Sequence, residues 1–152
     1  MKSKPLTAIV LAVSTLLLLQ SAKAASDTTA FDGNWSVTLH AKAFNNPDGR
    51  NGLPYVRPFP ATVKNGVLHG EIGTRGKPNW YELNGKIESD GSATLRADEI
   101  TGDQKYNFTV SRNPPPGKGT GYSYQVDAHF DGRHGTGRST DWRTRIFTFV
   151  KN

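Results

Sequence analysis

Three groups in the chain have the residue types for chemistry. His129, Asp131 and His134 lie within six residues. Two imidazoles and a carboxylate with an open position are what a catalytic zinc needs. Asp131-Gly132 is already explained as a turn, however, and alternation puts His129 on the face opposite Tyr124, Val126 and Phe130. The group therefore reads as a solvated hairpin tip. Glu71, Glu82, Glu88, Asp98 and Glu99 supply carboxylate pairs, and glycosidases use two carboxyl groups about 5 to 9.5 Å apart. On a half-solvated sheet such carboxylates face outward by default, and these are read so. Ser36, Ser92, Ser111, Ser123 and Ser139 have no Gly-x-Ser-x-Gly elbow and no His/Asp partner pattern. Gly117-Lys118-Gly119-Thr120-Gly121 lacks the spacing of a phosphate loop and has no helix to follow it. With no cysteine, the chain has no disulfide, no thiolate-bound metal and no cysteine nucleophile. We expect no catalytic residue, no metal and no cofactor.

The basic residues are the next candidates. Arg133, Arg138, Arg143 and Arg145 cluster with Trp142, and the net charge is +6. Aromatics interleaved with basic residues are what single-stranded nucleic acid asks for. The charge has another source. Lys2 and Lys4 precede an apolar run from Leu6 to Leu19, and Ala22-Lys23-Ala24 is the small-x-small pattern read by signal peptidase. The expected domains are therefore a signal peptide over 1–24, cleaved between Ala24 and Ala25, and one domain over 25–152. The run is short of the roughly 20 apolar residues of a membrane span, so no stable span is expected after cleavage. Cleavage removes three lysines, and the formal charge falls from +6 to +3. Nucleic acid is then not an expected partner. A small molecule or an anionic envelope component is.

The elements that must position these groups read as strands. Trp35, Val37, Leu39, Ala41 and Ala43 share one face of a first strand. Phe59, Ala61 and Val63 lead into Asn65-Gly66, and Leu68, Gly70 and Ile72 lead away. A two-residue type I′ turn there pairs Val63 with Leu68, Ala61 with Gly70 and Phe59 with Ile72. Tyr81, Leu83, Gly85 and Ile87 form a second hairpin with Ala93, Leu95 and Ala97. A three-residue loop with Gly91 left-handed pairs Ile87 with Ala93 and Gly85 with Leu95. Further strands are expected over Tyr106–Val110, Tyr122–Phe130, His134–Thr140 and Arg143–Lys151. Large inward residues such as Trp35, Phe59, Leu68, Ile72, Tyr81, Leu83, Phe108, Tyr122, Tyr124 and Phe130 favour a filled interior. Ala41, Ala43, Ala61, Gly70 and Gly85 are small and favour space near one end, and both readings stand. No window has helical periodicity. Eight or nine short strands at hairpin spacing give an all-β fold, an antiparallel up-and-down β-barrel of about eight strands, with a β-sandwich as the alternative.

Two resemblances follow from these motifs. Gly33-Asn34-Trp35 at the start of the first strand, with Arg143 or Arg145 in the last, resembles the opening and closing motifs of lipocalin-type and avidin-like barrels. That likeness implies an Arg packed on the Trp35 indole, closing one barrel end. Phe31-Asp32-Gly33-Asn34-Trp35, Phe130 to Gly137 and the ending Phe147-Thr-Phe-Val-Lys151 are similar to a group of small exported proteins of unknown function, found mainly in rhizobia and related alphaproteobacteria. Members of that group often carry Cys in the first loop and last strand. Here Ile146 stands in the last strand and there is no Cys. The expectation is a monomeric periplasmic or secreted binding module, non-enzymatic, for a small ligand or envelope component. The alternative is a small periplasmic hydrolase with a site at the barrel mouth.

Overall fold

The structure, a computed structural model, describes residues 28–45, 51–102 and 121–152. The signal peptide expected over 1–24, with its cleavage site Ala24/Ala25, lies outside the described residues. So do the strand expected over Tyr106–Val110 and the glycine-rich loop before Gly121.

A short 3-10 turn over Thr28–Phe31 leads into β1 (Gly33–Ala41). After it come β2 (Phe44–Asn45), β3 (Asn51–Gly52), β4 (Tyr55–Lys64), β5 (Val67–Ile72), β6 (Tyr81–Ile87), β7 (Ser92–Ile100), β8 (Gly121–Asp131), β9 (His134–Ser139) and β10 (Arg145–Lys151). Eight of these close into an antiparallel barrel in the order β1-β10-β9-β8-β7-β6-β5-β4, while β2 and β3 form a separate ribbon. Each barrel strand after β1 pairs with its predecessor in the barrel, and β10 returns to β1, which is an up-and-down barrel. Closure leaves no unpaired edge among these strands.

Both hairpins keep the expected register, but the β4–β5 ladder ends at Ala61–Gly70, so the expected Phe59–Ile72 pair is not formed; Phe59 pairs with Val37 and Ile72 with Tyr81. Asn65 and Gly66 take positive φ, 53° and 73°, as a type I′ turn requires. Val63 then faces Leu68, and Ala61 faces Gly70. In the second hairpin Gly91 has φ 84°, with Ile87 opposite Ala93 and Gly85 opposite Leu95. A Cβ at Gly91 would also strike the Phe130 carbonyl oxygen. The turn therefore needs glycine for its dihedral and for its neighbour.

The two ends of the barrel differ. The tight turns β4–β5, β6–β7 and β8–β9 and the 3-10 turn all lie at one end. That end is filled by Phe31, Trp35, Val63, Ile87, Phe130 and Phe149, all buried. Trp35 meets the Phe130 ring edge-on at 5.4 Å, and its Nε1–H donates to the Phe31 carbonyl at 2.9 Å. The space expected beside Gly70 and Gly85 is taken up: a Cβ at Gly70 would come within 2.9 Å of the Phe59 ring, and one at Gly85 within 2.8 Å of Leu95. Ala43 lies past the end of β1 and is exposed.

The Arg–Trp35 packing implied by the likeness to lipocalin-type barrels is not formed in this register. Trp35 faces Lys151 across β1–β10, whereas Arg145 faces Ala41 at the far end of the same ladder. Six residues of strand span about 20 Å, so neither Arg145 nor Arg143 reaches the indole. The cation nearest Trp35 in the β1–β10 register is Lys151, whose Nζ donates to the Ala30 carbonyl at 3.2 Å. The last strand begins at Arg145 rather than Arg143. The Arg143 carbonyl instead accepts from the Ser139 hydroxyl, which in turn accepts from the Arg145 backbone N–H.

Candidate functional site

At the opposite end, the inward face changes from apolar to polar. Period two carries the change. On β7 the face of Ala93, Leu95 and Ala97 continues to Glu99, and on β4 the face of Val63, Ala61 and Phe59 continues to Arg57 and Tyr55. The registers place Tyr81, Glu99 and Tyr122 in one row across β6, β7 and β8. Tyr55, Ala41 and Arg145 form the facing row across β4, β1 and β10. Tyr124 lies one layer deeper.

Two ion pairs anchor this wall. Arg57 Nη1 lies 3.2 Å from Glu99 Oε1, and the Tyr122 hydroxyl bonds Glu99 as well. Arg145 Nη1 donates to Asp141 Oδ2 at 2.7 Å. The Arg145 guanidinium lies over the Tyr124 ring at 4.1 Å and nearer the rim faces Tyr122 at 5.7 Å. Arg57 faces Tyr55 at 5.3 Å and Tyr81 at 5.5 Å. Tyr124 donates its hydroxyl proton to Tyr81 at 3.2 Å. Arg143 has a different task. It lies between Phe44 and Tyr55, with ring centroids at 4.8 and 5.0 Å. Its Nε and Nη2 donate to the carbonyls of Lys42 and Leu53. It therefore ties the loop between β1 and β4 to the start of β10.

Burial governs the protonation states here. Desolvation raises the phenols of Tyr55, Tyr81, Tyr122 and Tyr124 above their usual range, and Glu99 adds to this in each case. All four are neutral hydroxyls at physiological pH. Burial disfavours the Arg145 charge, Asp141 opposes this effect at neutral pH and the phenolates of Tyr124, Tyr122 and Tyr55 would do so at alkaline pH, and the guanidinium is held above its ordinary range. The wall is thus permanently charged and ringed by hydroxyl donors.

Arg145 is 0% exposed, yet its Nε and Nη2 have no hydrogen-bond partner among the described residues. The opening around Arg145 is nonetheless partly accessible to solvent. Arg57 sits on an inward face, in register with the fully buried Leu39, but its side chain is 21% exposed. Tyr55 and Tyr122 are half-buried around the same opening. Beside Tyr55 a shallow cleft of about 540 Å³ runs between Ala41–Ala43 and Pro54–Val56.

The other candidates from sequence are scattered. His129, Asp131 and His134 are exposed on the outer surface at the closed end. Among the described residues no group of three or more His, Asp or Glu is placed to hold a metal. Arg133 donates to the Lys151 carbonyl at the closed end and Arg138 faces solvent, so the four arginines do not make one surface. Glu71 and Glu82 are neighbours on the outer face, bonded to Trp80 and Arg75. Glu99 overturns the outward reading of the carboxylates. It belongs to the inward set because alternation on β7 does not stop where the apolar residues do. Arg57 escapes the sequence reading for the same reason: that reading starts the inward face of its strand at Phe59.

Comparison with protein-family models, with curated proteins and with solved structures gave no match to this chain. The class defined by fold and site is an eight-stranded up-and-down barrel with one apolar, closed end and one charged, tyrosine-lined end.

Proposed function

We propose that the protein is an exported, non-enzymatic barrel that binds a small ligand at its charged end, in the periplasm or outside the cell. One observation carries this reading: a fully buried guanidinium, Arg145, whose Nε and Nη2 have no hydrogen-bond partner among the described residues. Burying such donors unsatisfied costs about 1–3 kcal/mol each, more for a charged group, and folded proteins leave few of them. A ligand that accepts both bonds offsets that cost. The carboxylates of this wall, Glu99 and Asp141, each face a guanidinium, which suits a rigid binding surface. Eight strands give an interior wide enough for one small ligand where side chains do not fill it.

Native mass spectrometry of the protein purified from its own host tests the binding role. The expected result is a non-covalent adduct of small mass that is lost on denaturation. A clean apo mass from several growth conditions, with no small molecule shifting the thermal midpoint, would sink the reading. Export has its own test. N-terminal sequencing of the cell-envelope fraction is expected to begin at Ala25, and an intact Met1 in the cytoplasm contradicts it.

A further inference from the structure

The geometry points to Arg145 as a carboxylate anchor: the ligand carries a carboxylate held by two parallel hydrogen bonds from Nε and Nη2. This deepens the binding reading above and rests on it. The two unpartnered atoms are not an arbitrary pair. In a guanidinium, Nε–H and one Nη2–H point the same way along one edge, and their spacing matches the two oxygens of a carboxylate. The third nitrogen, Nη1, is already engaged by Asp141 at 2.7 Å. The ring of Tyr124 at 4.1 Å fixes the plane.

The neighbouring cations have companions of their own, although Arg57 Nη1 is also without a hydrogen bond among the described residues. Arg57 faces Glu99, and Arg143 is bonded to the Lys42 and Leu53 carbonyls. Among the described residues of this wall, the three guanidiniums of Arg57, Arg143 and Arg145 stand against the two carboxylates of Glu99 and Asp141, an excess of one positive charge. A monoanion balances that excess. Tyr55 and Tyr122, half-buried at the opening, leave part of their aromatic surface for a flat apolar body to pack against. A small aromatic or unsaturated carboxylate therefore fits the chemistry of the wall.

The probes are benzoate, acetate, the neutral isostere benzamide, and sulfate, added to the mature protein. Binding is followed by calorimetry and by the thermal midpoint. Benzoate is expected to bind and raise the midpoint, acetate to do so more weakly, and benzamide not at all. Arg145→Lys keeps the charge and removes the two-donor edge, so benzoate affinity is expected to fall at least about tenfold with the near-UV circular dichroism unchanged. If that variant does not fold, Asp141→Asn decides. Its side chain is partly exposed, and loss of the competing carboxylate is expected to tighten benzoate roughly threefold.

Equal binding of benzamide, a response to sulfate matching that to benzoate, or undiminished affinity in a folded Arg145→Lys protein overturns the anchor. Unchanged or weaker binding in Asp141→Asn does the same. If carboxylates have no effect while a neutral molecule co-purifies from the host, the anchor fails and the binding module stands. If neither occurs, both fail.

Discussion

At the scale of single residues, the charged end of the barrel holds its groups in fixed protonation states. The four inward tyrosines make this measurable. Each has a folded pKa above its unfolded value near 10. Their contribution to stability is then fully present below about pH 10. It is lost above that as the unfolded chain ionises first. In an alkaline titration at 295 nm, four of the five tyrosines are expected to ionise only together with loss of tertiary structure. Smooth titration of all five in a folded protein would contradict the burial. The Arg57–Glu99 pair is tested by Glu99→Gln, which leaves Arg57 facing a neutral amide. Removing one partner of a buried pair costs about 3–5 kcal/mol. Arg57 is partly open to water, so about 2–3 kcal/mol by urea unfolding is the expected loss.

At the scale of elements, the segment Phe31-Asp32-Gly33-Asn34-Trp35 organises the closed end. Each of three residues in it has a separate job. Phe31 covers the barrel and accepts from the Trp35 indole. Trp35 fills the base. Asp32 reaches across to the β4–β5 turn and accepts from the N–H groups of Asn65 and Gly66, at 2.8 and 2.9 Å. A carboxylate that satisfies two turn donors contributes about 1.5–3 kcal/mol. Asp32→Ala is expected to lower the urea midpoint accordingly, with Asp32→Asn, which offers one acceptor oxygen, falling between. The β6–β7 turn gives a second test. Gly91→Ala forces an L side chain to φ 84° and against Phe130. A loss of about 1–3 kcal/mol is expected; a neutral result would mean the turn can refold into another type.

At the scale of the molecule, the fold is closed by its own ends. β1 pairs with β10 over seven residues, from Trp35–Lys151 to Ala41–Arg145. The backbone N–H of Asn152 adds a bond to the Asn34 carbonyl. Without disulfides, this non-local ladder takes the place of a covalent clasp. Deleting residues 145–152 would open β1 and β9 as bare edges and remove Phe147 and Phe149 from the core. The truncated chain is expected to lose cooperative unfolding and to aggregate. A soluble truncation with native near-UV circular dichroism would show that the ladder is dispensable. Because closure joins distant parts of the chain, refolding is expected in milliseconds to seconds, measured by stopped-flow tryptophan fluorescence.

Alternation and turn chemistry are local properties, and they determined the strands, the registers of two hairpins and the all-β class. Asn65-Gly66 and Ser89-Asp90-Gly91 specify their turns by backbone dihedrals that few other residues accept, so the pairing followed from sequence. Which polar residues point inward was also latent in that period. It was lost at Arg57 and Glu99 because a charged residue on an apolar face argues against burial unless its partner is known. The partners come from other strands: Glu99 for Arg57, Asp141 and Tyr124 for Arg145. Tertiary structure alone decided that Arg145 lies at the far end from Trp35. Position along a barrel is set by the stagger between the first and last strands, and that stagger is fixed only when the sheet closes.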